Sequence, residues 1–208
     1  MPSASLVHVI DDDEAVRDSL KFLLRTAGME VRTYESATAF LDALPGINAG
    51  CIITDVRMPD ISGVDLLRRL KELKVGVPVI VITGHGDVQL AVEAMKIGAV
   101  DFIEKPFDDD LLLAAIRSAL GRWAKDSQQE SGRARLLEKI AALSSREREV
   151  LDGLVAGKPN KVIAFDLGIS PRTVEIYRAN VMTKTGAGSL SELVRMALVA
   201  GLTEPADK

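Results

Sequence analysis

The sequence predicts an α/β, doubly wound, five-stranded parallel sheet followed by a small all-α domain. Three observations predict it. Five short apolar runs alternate with helix-period stretches over the first half. The second half contains no strand-like run. At 208 residues, the chain exceeds the usual size of a single domain.

The strand runs are LVHVI (6–10), MEVRTY (29–34), CIITDV (51–56), VPVIVIT (77–83) and VDFIEK (100–105). Most are rich in Val and Ile, too short for helices, and bounded by Gly, Pro or Asp. VPVIVIT lacks polar alternation, as a parallel strand covered on both faces requires. AVRDSLKFLLRTAG sets Val16, Leu20, Leu23 and Leu24 at helical spacing, with Gly28 just past the end. GVDLLRRLKEL, DVQLAVEAMKIGA and DDDLLLAAIRSALGRW read the same way. Right-handed crossovers make this order a doubly wound sheet, whose ligands lie beyond the carboxyl ends of the strands.

Polar residues gather at those ends. Asp11, Asp12 and Asp13 follow the first strand, Asp55 ends the third, Thr83 ends the fourth, and Lys105 ends the fifth. Each alone would pass as a cap or turn residue. Their convergence from four strands is not explained by capping. Adjacent carboxylates repel and raise one another's pKa. A divalent cation and the Lys105 ammonium would relieve that repulsion, and carboxylates with few other ligands suit Mg²⁺.

RWAKDSQQESGRARLLEKIAAL (122–143) joins the halves. Its middle is polar, and Leu136, Leu137, Ile140 and Leu143 then form a helical stripe. The expected boundaries are 1–122, a partly helical linker over 123–140, and a second domain over 141–204. In that domain Ser144 or Ser145 caps a helix carrying Val150, Leu151, Leu154 and Val155. NKVIAFDLG is a short helix closed by Gly168. Ser170 caps the next, with Pro171 at its first position. Two short helices around a glycine turn form the helix-turn-helix signature, and 171–185 is the expected recognition helix. Spacing turns Val174, Val181 and Tyr177 inward and leaves Arg172, Glu175, Ile176, Arg178, Ala179 and Met182 on outer arcs. Glu175, Ile176, Arg178 and Ala179 are base-edge candidates, with Arg172 beside them; Lys161, Thr173 and Lys184 suit phosphates.

Charge follows the same division. Residues 1–124 carry 19 acidic against 13 basic side chains, and residues 125–208 carry 11 against 13. The second half is only mildly basic. The single cysteine, Cys51, excludes an internal disulfide framework and reads as a buried thiol. No apolar stretch reaches membrane-spanning length, and the first residues lack the pattern of a secretory signal. A cytoplasmic protein without a membrane partner is expected. No Gly-x-x-x-x-Gly-Lys-Ser/Thr loop is present to bind nucleotide.

The acidic pair after strand one, Asp-x-x-Met-Pro at 55–59, Thr83-Gly84 and Lys105-Pro106-Phe107 together resemble the receiver domain of two-component response regulators, with its flavodoxin-like sheet. The wording of GHGDVQLAVEAMKIGAVDFIEKPF is similar to oxygen-responsive nitrogen-fixation regulators of that family. SxRExEVL, NKxIAxxLGIS and TVExYRxNxMxKxG in the second half resemble LuxR-type regulators. The resemblance implies that Asp55 accepts a phosphoryl group from a sensor histidine kinase and later loses it by hydrolysis, with no other enzymatic activity. It implies Mg²⁺ held by Asp12, Asp55 and the Arg57 carbonyl, with Asp11 acting through water. Lys105 and Thr83 would contact the phosphoryl group, and Phe102 would be the switch aromatic, without the hydroxyl of the Tyr found in many receivers. A cis Lys105–Pro106 bond is also implied. Phosphorylation would form a homodimer through 87–105, including Val92 and Lys96. The dimer would bind promoter DNA and act with RNA polymerase as an activator, by this resemblance of nitrogen-fixation genes at low oxygen. An aspartyl phosphatase, whose Asp-x-Asp-x-Thr/Val pattern Ala15 breaks, is the rival enzyme reading.

Overall fold

The computed structural model describes residues 5–47, 49–84 and 88–202. Its backbone divides into two units, Met1–Lys125 and Asp126–Lys208. Residues 203–204 of the expected second domain, and Asp87 at the start of the expected dimer segment, lie outside the described residues.

In the first unit the strands are β1 (Leu6–Ile10), β2 (Glu30–Tyr34), β3 (Cys51–Asp55), β4 (Val79–Thr83) and β5 (Asp101–Glu104). All pairings are parallel and the sheet order is β2-β1-β3-β4-β5. Alternation along each strand divides the core in two. Val7, Val9, Cys51, Ile53, Ile80 and Ile82 face α1 (Glu14–Thr26) and the start of α5 (Asp109–Ala141). Ile10, Ile52, Val79 and Val81 face α2 (Ala37–Ala43), α3 (Gly63–Glu72) and α4 (Val88–Ile97). Fully burying one such side chain contributes roughly 1.5–3 kcal/mol. Cys51 is fully buried, and burial pushes its thiol up to about 12, so it is no nucleophile.

The helix between β2 and β3 is short, seven residues capped by the Ser36 hydroxyl, so no long apolar stripe marks it. α1 is started by the Asp13 side chain, which accepts from the amides of Ala15 and Val16. Residues 123–140, expected to be part helix, lie wholly within the 33-residue α5. Their Ala, Lys, Gln, Glu and Arg are strong helix formers, and no Pro interrupts them.

The second unit comprises the end of α5 with α6 (Ser145–Val155), α7 (Asn160–Leu167), α8 (Pro171–Thr185) and α9 (Leu190–Val199). Leu136 and Ile140 of α5 enter its core beside Val150, Leu151, Ile163, Val174, Val181 and Leu193. Among the described residues, no helix is long and apolar enough to cross a membrane.

Candidate functional site

The sheet order reverses between β1 and β3, and this is where an open parallel sheet has its crevice. Asp11 follows β1 there, and Asp55 ends β3. Lys105, just past β5, reaches across to both: its Nζ donates to Asp55 Oδ1 at 2.8 Å and to Asp11 Oδ2 at 2.9 Å. The Asp13 amide donates to Asp11 Oδ1 at 2.9 Å, and the Arg57 amide donates to Asp55 Oδ2 at 2.6 Å. Lys105 is carried to the site by its own amide, which donates to the Thr83 carbonyl at 2.8 Å, and the Lys105–Pro106 bond is cis.

Asp11 is buried and Asp55 nearly so, with side-chain exposures of 4% and 12%. Burial raises the pKa of Asp11, against the opposing pull of Lys105. For Lys105, burial pulls down, but the hydrogen bonds and charges of Asp55 and Asp11 outweigh it, so the ammonium is held above its ordinary range. A carboxylate fixed in this way can act as a nucleophile toward phosphorus, with an ammonium placed where a transferred group would carry charge.

The donors here are oxygens, which suit a hard cation, and Mg²⁺ is commonly held by one or two carboxylates and several waters. Asp11 and Asp55 fit that requirement. Asp12 is exposed, and among the described residues no group of three or more acidic, His or Cys side chains is arranged around one metal position.

Thr83 is buried at the end of β4, and its hydroxyl donates to the Gly84 carbonyl at 3.3 Å. Phe102 pairs with Val81 across the β4–β5 ladder, and the residue is 43% exposed. On α4, Val92, Met95 and Lys96 are exposed.

In the helical unit, α7 ends at Gly168 with φ +64°, a left-handed conformation that glycine adopts without strain. The Ser170 hydroxyl then caps α8, and Pro171 occupies its first turn. Val174 and Val181 are buried and Tyr177 is half-buried, which leaves Arg172, Glu175, Ile176 and Ala179 exposed and Arg178 half-buried on the outer arc. The Thr173 hydroxyl lies 2.8 Å from that of Ser170, and Lys161 is exposed in the first turn of α7. Lys184 is placed differently from the other phosphate candidates. Its Nζ donates to the buried carboxylate of Glu147 at 2.6 Å.

Comparison with known proteins follows these divisions. Residues 7–117 match the response regulator receiver domain family, and residues 141–197 match the bacterial regulatory proteins of the luxR family. The chain is 61% identical to the transcriptional regulatory protein FixJ of Azorhizobium caulinodans, over 100% of this chain and 98% of that protein. It belongs to the response regulators. The crystal structure of full-length FixJ from B. japonicum is 54% identical, with 96% of this chain and 98% of that one covered and a TM-score of 0.61. The low-resolution structure of the response regulator StyR is 40% identical, with 93% and 98% covered and a TM-score of 0.86. As a FixJ-like response regulator with a DNA-binding domain, the chain has a kinase and promoter DNA as partners. Its only chemistry is phosphoryl transfer to its own aspartate, and the receiver family uses Mg²⁺ for that step.

Three residues of this response regulator escaped the sequence reading. Arg17 on α1 donates from one guanidinium nitrogen to the carbonyls of Asp11 (2.8 Å) and Asp12 (2.9 Å), bracing the acidic loop. Gly63 begins α3 against the Asp55 carbonyl. Glu147 closes a capping box with Ser144, and the Ser-x-x-Glu spacing at 144–147 was the available signal.

Proposed function

We propose that the chain is a phosphorylation-activated DNA-binding regulator whose phosphoryl acceptor is Asp55. The Lys105 bridge between Asp11 and Asp55 at the sheet's switch point carries this reading. An Asp55 oxygen attacks the phosphorus of a kinase phosphohistidine; the P–N bond breaks as the P–O bond forms. Lys105 moves its hydrogen bonds toward the new phosphoryl oxygens. When bound, Mg²⁺ would neutralise charge on the phosphoryl oxygens, held by Asp12, Asp55 and the Arg57 carbonyl, with Asp11 acting through water. The Thr83 hydroxyl turns to the phosphoryl group and Phe102 swings inward. The α4–β5 face, with Val92 and Lys96, then pairs with a second copy as a symmetric interface.

The division is a receiver over 1–122, a helical connector over 123–140 and a DNA-binding domain over 141–204. Two copies bind two half-sites, and linkage of the two contacts raises effective concentration. Glu175, Ile176, Arg178 and Ala179 face base edges, with Arg172 beside them, and Lys161 and Thr173 face phosphates. The similarity to FixJ proteins supports activation, with RNA polymerase, of nitrogen-fixation genes at low oxygen, in the cytoplasm. DNA binding measured with and without a small phosphodonor plus Mg²⁺ tests the reading. Wild-type chain gains one phosphoryl mass and binds more tightly, whereas Asp55→Asn does neither. Equal uptake by Asp55→Asn in EDTA would refute the assignment.

A further inference from the structure

The C-terminal end of α8 is held from two directions. Lys139, in the last turn of α5, donates from Nζ to the Thr185 carbonyl at 2.8 Å. Lys184, the preceding residue, donates to Glu147 at the start of α6. Several other groups at this helix end are also paired. The Thr185 hydroxyl donates to the Val181 carbonyl at 2.7 Å, and the Gly186 and Ala187 amides both donate to the Met182 carbonyl, at 2.9 and 3.1 Å.

Lys139 is not a loosely placed surface cation. Leu136 and Ile140, three residues before it and one after, are buried in the helical core and fix its turn of α5. A Cβ added at Gly186 would stand 3.2 Å from its Nζ, so the ammonium sits directly on the helix end. There it meets the negative end of the α8 dipole and the carbonyls that a helix leaves unpaired.

We infer that Lys139 is a positioning residue for the recognition helix: with the Glu147–Lys184 pair, it fixes the tilt and rotation of α8 and so aims its outer arc at base edges. This rests on the DNA-reading role proposed above. The distinction from a phosphate contact is physical. Base readout needs donors and acceptors in register, so a small rotation of α8 removes it. Phosphate attraction tolerates such a shift, and it reports itself through counterion release.

The test uses the full-length chain and two duplexes: one selected by the wild-type chain from random DNA, and a scrambled version of it. Lys139→Met should weaken binding to the selected duplex by about tenfold and leave the scrambled duplex unchanged. The slope of log affinity against log salt should stay at the wild-type value. Lys139→Arg, which keeps a cationic donor, should recover most of the loss, a rescue that a mere volume effect would not give. Lys184→Met should reproduce the selective loss with the slope again unchanged, which keeps the inference testable if one variant folds poorly. Equal losses on both duplexes, a slope smaller by about one, or full activity of Lys139→Met would overturn it. A wild-type chain that selects no duplex would remove the DNA-reading role itself, a separate failure.

Discussion

Gly63 lies so close to Asp55 that a Cβ built on it would stand 2.1 Å from the Asp55 carbonyl oxygen. The first turn of α3 thus packs on the backbone of the very residue that carries the candidate acceptor. Because the obstacle is main chain, it has no rotamer to adopt. Gly63→Ala should cost about 1–3 kcal/mol of receiver stability, as overpacking does, and should slow phosphoryl uptake by displacing the strand tip. Urea unfolding and timed intact-mass measurement would check both effects, and an unperturbed variant would show that the strand end yields freely.

Asp11 should exact a stability penalty at neutral pH. Its folded pKa is raised above the ordinary 3.8, chiefly by burial. A raised carboxyl contributes stability that is complete below the unfolded value and is lost as pH rises through the folded one. Asp11→Asn should therefore melt at a higher temperature than wild type at pH 7, and the gap should close toward pH 3.5. Lys105 keeps Asp55 as a partner in that variant. Added Mg²⁺ should raise the wild-type midpoint and move the variant far less. A variant that melts lower at pH 7 would count against the burial argument.

The Glu147–Lys184 pair predicts acid sensitivity in the helical unit. The Lys184 hydrogen bond and the Ser144 amide hold the Glu147 carboxyl below its ordinary 4.5. A depressed carboxyl contributes stability that is present above the unfolded value and is lost as pH falls through the folded one. Helical-unit stability should drop as pH falls below 4.5, and Glu147→Gln should be weaker at pH 7 with a flatter acid limb. Denaturant melts of the full chain, followed through a probe placed on α9, would read this. Parallel acid limbs in the two proteins would dismiss the pair as the cause.

Arg178 and Lys161 should fail in different ways on DNA. Arg178→Ala should cost about 1–3 kcal/mol on the selected duplex and relax preference at one position, as loss of a base reader does. Lys161→Ala should weaken every sequence alike and reduce the salt slope by about one. Titration of both variants against selected and scrambled duplexes separates the cases; matching losses for Arg178→Ala would take it out of the reading set.

The carboxylate corner was legible because it is built from strand ends, where a chemical residue type interrupts an apolar run. Asp55 after Ile52-Ile53-Thr54 and Lys105 after Phe102-Ile103-Glu104 stand out for that reason, and both lie at the bridge. α8 was legible at its start, since Ser170-Pro171 is a start signal with a steric basis. What escaped depends on contacts between residues far apart in the chain. Gly63 looks like any helix-starting glycine until the Asp55 carbonyl is placed against it. Lys184 resembles other exposed basic residues on α8, and only tertiary packing, 37 residues away at Glu147, gives it an internal partner. The continuity of α5 was obscured because a polar surface helix and a polar linker have similar compositions.

That continuity has its own consequence. Between Ala119 and Leu136, α5 has no buried residue, and this stretch contains Gly121 and Gly132. Its backbone amides are protected from solvent exchange by little beyond the helix's own hydrogen bonds, and a helical stretch without packing is marginal in water. Deuterium uptake should therefore be fastest in the middle of α5 and slowest toward Ile116 and Ile140, the reverse of a helix that frays from its tips. A protease at low dose should cut first in that middle, leaving two fragments whose cores remain intact.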